Sequence, residues 1–172
     1  MAIKRTGMAA IPVYNAGGIV TRSVEIIRPS NTDAYAIGDT IAAATPEVGG
    51  QTFTDVVNEN GQSAILTDML IVSSNPAATP LQGEIWIFDT AVTAVADNAA
   101  LAVSDAEIKT LVAKIPFVMA VGVNNNNVHL QSLMIGLTCV TKDLYFLVKT
   151  LNAYAPANGE VITVRAKFAP QG

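Results

Sequence analysis

Apolar and polar positions along this chain alternate in short runs, the period-two signature of half-buried strands. The clearest case is EVITVRAKFAP (160–170), where Ile162, Val164, Ala166 and Phe168 fall on one face and Thr163, Arg165 and Lys167 on the other. LYFLVKT (144–150), QGEIWIFD (82–89), KIPFVMAV (114–121) and NVHLQSLMIGLTCVT (127–141) read as strands too. TRSVEIIRP (21–29) is β-branched and stops at Pro29, whereas SAILTDMLIVSS (63–74) is nearly all apolar, as expected of a strand covered on both faces. Weaker strand signals lie in YAIGDTIAAAT (35–45), where Gly38-Asp39 marks a bend, and around TFTDVV, which runs into the tight-turn pair Asn60-Gly61. About eight short strands at semi-regular spacing predict an all-β fold, a jelly-roll-like β-sandwich.

One segment departs from this pattern. SDAEIKTLV (104–112) opens with a capping box, in which Ser104 and Glu107 satisfy each other's backbone N–H groups, and carries an apolar stripe of Ile108, Leu111 and Val112. The spacing predicts a short helix over about 104–112, lying on a sheet face within a long crossover and ended before Pro116. Residues 1–20 show three glycines and no periodicity, and read as an extended N-terminal arm ahead of a single domain, 21–172. Such an arm cannot bury Ile3, Met8, Ile11, Val13 and Tyr14 by itself, so these five are the candidate interface residues.

Composition sharpens the picture. The 172 residues are 51% hydrophobic and only 14% charged, against about 25% charged in an ordinary soluble domain. So little charge over so much apolar content points to an exterior partly covered by other copies or by a partner surface. The net charge of −4 and a pI near 4.8 argue against direct nucleic-acid binding, which needs a basic face. No apolar run reaches the roughly 18 residues of a spanning helix, so no membrane role is expected. A single cysteine, Cys139, rules out an intrachain disulfide, and no secretory leader is expected from the opening residues.

Candidate chemistry is sparse. His129 is the lone histidine and cannot build a multi-histidine metal site. Cys139 sits mid-strand among apolar neighbours, the setting of an inert thiol. Glu25, Asp39, Asp55, Asp68, Glu84 and Asp89 offer carboxylates for glycoside chemistry, but aromatic platforms are scarce and Trp86 is the only tryptophan, expected in the core or at an interface. Asp89, Asp97, Asn98 and Asp105 are oxygen donors spaced too loosely for a calcium loop, and Asp97 is expected to bond backbone N–H groups within a turn. The Asn124–Asn127 run reads as a hairpin tip. No catalytic residue, cofactor or metal site is expected, and the chain reads as a non-enzyme.

Two stretches, YAIGDTIA (35–42) and WIFDTAVTAVADNAALAVSDAEIKTLVAKIPF (86–117), together resemble small virion proteins of tailed bacteriophages. In that group a strand ending in an aromatic-Asp pair, here Phe88-Asp89, leads through a linker to a DNAA turn, an SDAE helix and a further strand. The resemblance covers about a quarter of the chain and brings no catalytic residue. It implies a head decoration, or cement, protein: a jelly roll made in the bacterial cytoplasm that sits on the virion as a homotrimer bound to the major capsid protein shell. The alternative is a carbohydrate- or receptor-binding module of a phage tail.

Overall fold

The computed structural model describes residues 18–45, 50–76, 79–121 and 126–171. The candidate residues Ile3, Met8, Ile11, Val13 and Tyr14 lie outside them, as do residues 124–125 of the asparagine run.

Ten strands form two antiparallel sheets. They are β1 (Val20–Ile27), β2 (Thr40–Ile41), β3 (Gln51–Phe53), β4 (Ser63–Ser73), β5 (Gln82–Phe88), β6 (Leu111–Val118), β7 (Ala120–Val121), β8 (Asn127–Thr138), β9 (Leu144–Thr150) and β10 (Val161–Gln171). The first sheet runs β1-β10-β4-β8-β7 and the second β2-β9-β5-β6, with β3 also on β9. Because β2 and β3 share one partner and β7 is a two-residue extension, eight strand positions remain. Their pairing is nested: β1 with β10, β2 and β3 with β9, β4 with β8, β5 with β6. A long antiparallel ribbon folded at its middle and rolled up gives this order, which makes the sandwich a jelly roll.

Alternation decides which side chains fill the roll. Ile162, Val164, Ala166 and Phe168 of β10 are fully buried, as their spacing predicts. They meet Ile85, Ile87, Phe146 and Val148 from the second sheet in one core. At its centre Phe53 stacks on Phe146 at 4.5 Å and meets Phe168 edge-on at 5.5 Å. Gly83 of β5 leaves room for the Phe117 ring: a Cβ there would lie 2.6 Å from that ring and 2.7 Å from the Lys149 carbonyl oxygen.

Two expectations are corrected. Strand β4 is covered on one face only: Ala64, Leu66, Met69 and Ile71 point into the core, while Ile65, Leu70 and Val72 line the outer face. A register shift between Leu66 and Asp68 places Thr67 as a bulge that keeps both halves in phase. The helix over 104–112 shrinks to one 3-10 turn, Glu107–Thr110. Its capping box forms as expected, with the Ser104 N–H donating to Glu107 Oε2 at 2.9 Å and the Glu107 N–H to Ser104 Oγ at 3.2 Å. The helix stops there because Leu111 and Ala113 enter β6 against Phe88 and Ile87. Strand pairing in the sheet outweighs one more helical turn.

Candidate interface

The two sheets differ on their outer faces. On the second sheet, alternation turns Trp86, Phe88, Tyr145 and Leu147 outward. Residues 89–106 cross over them as a strap, and Val92, Val95, Leu101 and Val103 close a second, smaller apolar cluster around Phe88 and Leu147. The strap is fastened along β2: the Thr40 N–H donates to the Ala99 carbonyl at 2.7 Å, Asn98 N–H to Thr40 at 2.9 Å and Leu101 N–H to Gly38 at 3.0 Å. Asn98 takes a left-handed conformation (φ 58°), as the turn reading of DNAA requires.

Asp97 does more than cap that turn. Its carboxylate reaches Arg28, at the end of β1, at 2.9 Å, and accepts from the Tyr35 hydroxyl at 2.5 Å and the Ala42 N–H at 3.0 Å. Arg28 Nε donates to the same Tyr35 oxygen, and its guanidinium stands 4.6 Å from the Tyr35 ring centre. Arg28 is 1% exposed. Burial opposes its charge, but Tyr35 and Asp97 overcome this and leave its pKa raised. Burial, reinforced by the Asp97 hydrogen bond and charge, pushes the Tyr35 phenol up, so it stays a neutral donor.

A second buried polar group adjoins the first through Tyr154, whose ring stacks on Tyr35 at 6.3 Å. Glu160 accepts from Ser73 Oγ at 2.5 Å, from the Tyr154 hydroxyl at 2.8 Å and from the Ala157 N–H at 3.3 Å, while Asn75 Nδ2 donates to Tyr154 Oη at 2.9 Å. Burial first, then the neighbouring Glu160 charge, pushes the Tyr154 phenol up as well. These side chains tie the ends of β1, β4 and β10 to the loops beside them. Sequence reasoning missed both groups. The available signal was a charged or polar residue at each strand end — Arg28, Ser73 and Glu160 — in a chain otherwise short of charge.

The outer face of the first sheet has no such cover among the described residues. Leu130 (68% exposed) and Met134 (78%) stand open along β8, and Ile27 is open on β1. Beside Leu130, a surface depression of about 220 Å³ is lined by Asp68, Leu70, Leu130, Arg165 and Lys167. Asp68 is occupied by Lys167 at 3.8 Å and by the Thr67 and Ser132 hydroxyls. The Arg165 side chain is exposed and makes no ion pair or hydrogen bond among the described residues.

The residues weighed for chemistry stand apart. His129 lies half-buried on the inner side of β8, with Nδ1 3.0 Å from the Val118 carbonyl oxygen and Nε2 3.3 Å from Gln131 Oε1. Cys139 is fully buried, and burial pushes its thiol up to about 11, away from the reactive thiolate. Trp86 is not in the core: it is half-buried on the second sheet's outer face, its Nε1–H donating to Glu84 at 3.0 Å and its ring 4.4 Å below Lys114 Nζ. Among the carboxylates, Asp39 caps a turn at the Ala36 N–H, Asp68 faces out from the first sheet and Glu84 from the second. Among the described residues no three His, Cys, Asp or Glu side chains gather as a metal site, and no helix is long and apolar enough to cross a membrane.

No family model matches the chain, and no curated protein matches it. Solved structures with some likeness include a chain of the cyanophage Pam1 capsid asymmetric unit, at 13% identity and TM-score 0.35 over 99% of this chain and 98% of that one. Turnip yellow mosaic virus gives 11% identity and TM-score 0.30, over 100% of this chain and 89% of that one. Desmodium yellow mottle tymovirus gives 13% and 0.31, over 99% and 96%. Likenesses this distant leave the fold resting on the strand pairing described above.

Proposed function

We propose that this is a non-enzymatic structural protein of a virion, a decoration protein that binds a phage head as a homotrimer and stabilises it. The observation that carries the proposal is the uncovered apolar face of the first sheet, opposite a face the chain covers for itself. A sheet face bearing Leu130, Met134 and Ile27 loses free energy when it leaves water, at about 25 cal/mol per Å² of apolar area. With 14% charged residues, little elsewhere on the surface opposes association.

The virion assignment rests on the resemblance of residues 35–42 and 86–117 to small phage virion proteins. Residues 1–20 supply a further contact in this proposal: Ile3, Met8, Ile11, Val13 and Tyr14 pack on a neighbouring copy or on the major capsid protein shell. Three-way attachment makes each added contact intramolecular, so weak contacts sum to firm binding. The protein is made in the bacterial cytoplasm and works on the outside of the capsid, with no role for a cofactor, nucleic acid or membrane. The tail-module alternative gains little from Trp86, whose indole N–H and ring face are already engaged by Glu84 and Lys114.

Heads assembled without the protein should release DNA at a lower temperature, and the purified protein added back should restore them. Micrographs in which it labels only tails, or no virion part, would overturn the assignment.

A further inference from the structure

The Glu107–Thr110 turn leaves an apolar side chain in water. Ile108 is 39% exposed, although its spacing with Leu111 and Val112 had placed it on the sheet. Leu111 joins the cluster under the strap and Val112 packs on the main core, so Ile108 alone is left out. Asp105 precedes the 3-10 turn, but the Ile108 N–H donates to the Ser104 carbonyl at 2.9 Å and closes a helical turn over 104–108, in which side chains three apart are neighbours. Asp105 is exposed and without an ion pair or hydrogen bond among the described residues, whereas Glu107 is held by Ser104 and by the Thr93 N–H. The turn therefore offers an apolar tip with a free carboxylate beside it.

The depression on the first sheet is its complement. Leu70 and Leu130 supply apolar walls, Asp68 is neutralised by Lys167, and Arg165 is left with a free guanidinium. The turn's acidic pair and Lys109 leave one net negative charge, and the depression's Arg165, Lys167 and Asp68 leave one net positive. The two features lie on different sheets. One copy cannot join them in itself, but a row of copies can, each giving its turn to the next.

We infer that the depression on one copy receives the Ser104–Thr110 turn of the next, Ile108 entering between Leu70 and Leu130 while Asp105 meets Arg165. Such a contact is head-to-tail, and copies related by a rotation that closes form a ring. The inference rests on the assembly proposal and names the surfaces that make it. It also gives the interrupted helix a use: shortened to one turn, it keeps Ile108 proud of the surface.

Charge exchange tests it on the full chain. Arg165→Glu and Asp105→Arg should each raise the concentration needed for half-assembly by about tenfold, read by mass measurement in solution. Combined in one chain, the two should restore assembly. All three proteins should keep the wild-type β spectrum, since both positions are exposed. As a second measurement, Ile108→Cys with Leu130→Cys should give chain multiples linked by disulfides on oxidation, and neither single variant should. Single variants that assemble like wild type, a pair that fails to recover, or an absence of cross-linked multiples would each overturn the inference. If the wild type is oligomeric and labels heads while the exchange fails, only this contact is wrong. A wild type that stays monomeric with and without shells removes the contact and the assembly proposal together.

Discussion

The two outer faces of this sandwich carry similar apolar residues and meet different fates. On the second sheet, Phe88 and Leu147 lie beneath a strap that the chain supplies between β5 and β6, and the buried Arg28–Asp97 pair fastens it. On the first sheet, Leu130 and Met134 face outward with nothing over them among the described residues. A face closed in cis is part of the folding unit. A face left open becomes stable by meeting something else. The difference separates residues whose loss should unfold the protein from residues whose loss should only disperse it.

The largest effect is expected where the strap is fastened. Asp97→Ala strands a buried guanidinium and should cost about 3–5 kcal/mol in urea unfolding. Replacing both partners, with Arg28→Met beside Asp97→Leu, should recover most of that loss, because the penalty comes from the unpaired charge. If Asp97→Ala costs less than about 1 kcal/mol, the pair does not hold the strap.

The next effect compares one leucine from each face. Leu147→Ala, under the strap, should cost about 2–4 kcal/mol. Leu130→Ala, on the open face, should change monomer stability by no more than about 0.5 kcal/mol while weakening assembly. Equal costs at the two sites in monomeric protein would mean that the first sheet is covered in cis after all.

The smallest effect belongs to the turn at the end of the strap. Hydrogen bonds from Ser104 and Thr93 hold Glu107 down to about 2, from an ordinary 4.5. A carboxylate lowered in the folded state contributes stability above its unfolded pKa, and that contribution is lost as pH falls from about 4.5 through 2. Glu107 is near the surface, so solvent screens it, and the amount should stay below about 1 kcal/mol. Glu107→Gln should therefore be slightly less stable than wild type at pH 6, with the gap closing by pH 2. A gap that widens toward low pH would contradict the capping geometry.

Much of the fold was legible because jelly-roll strands are short and their periodicity is local. Leu144–Thr150 is a strand at the predicted bounds, and β10 agrees within a residue at either end. The bend at Gly38 and the turn at Gly61 appear with positive φ, as the residue types indicate. Three features escaped because they depend on long-range partners. The apolar run of β4 does not say which of its faces has a neighbour, and only the assembled sheet shows that Leu70 lies outside. Likewise the capping box at Ser104 specifies a helical start but not its length, which the pairing of Leu111 with Phe88 decides. The Arg28–Asp97 pair joins residues 69 apart in sequence, a separation no local pattern encodes. The open face was legible only as a composition, too little charge for so much apolar surface. Its location required the sheet order.

Whether the open face of the first sheet is an assembly surface is read from the mass in solution of the variant carrying Leu130→Lys and Met134→Lys, set beside wild type at equal concentration. The wild type should be oligomeric, consistent with a trimer, and the variant monomeric with an unchanged β spectrum. A variant that keeps the wild-type mass, or a wild type that is monomeric from the start, would contradict an assembly role for this face.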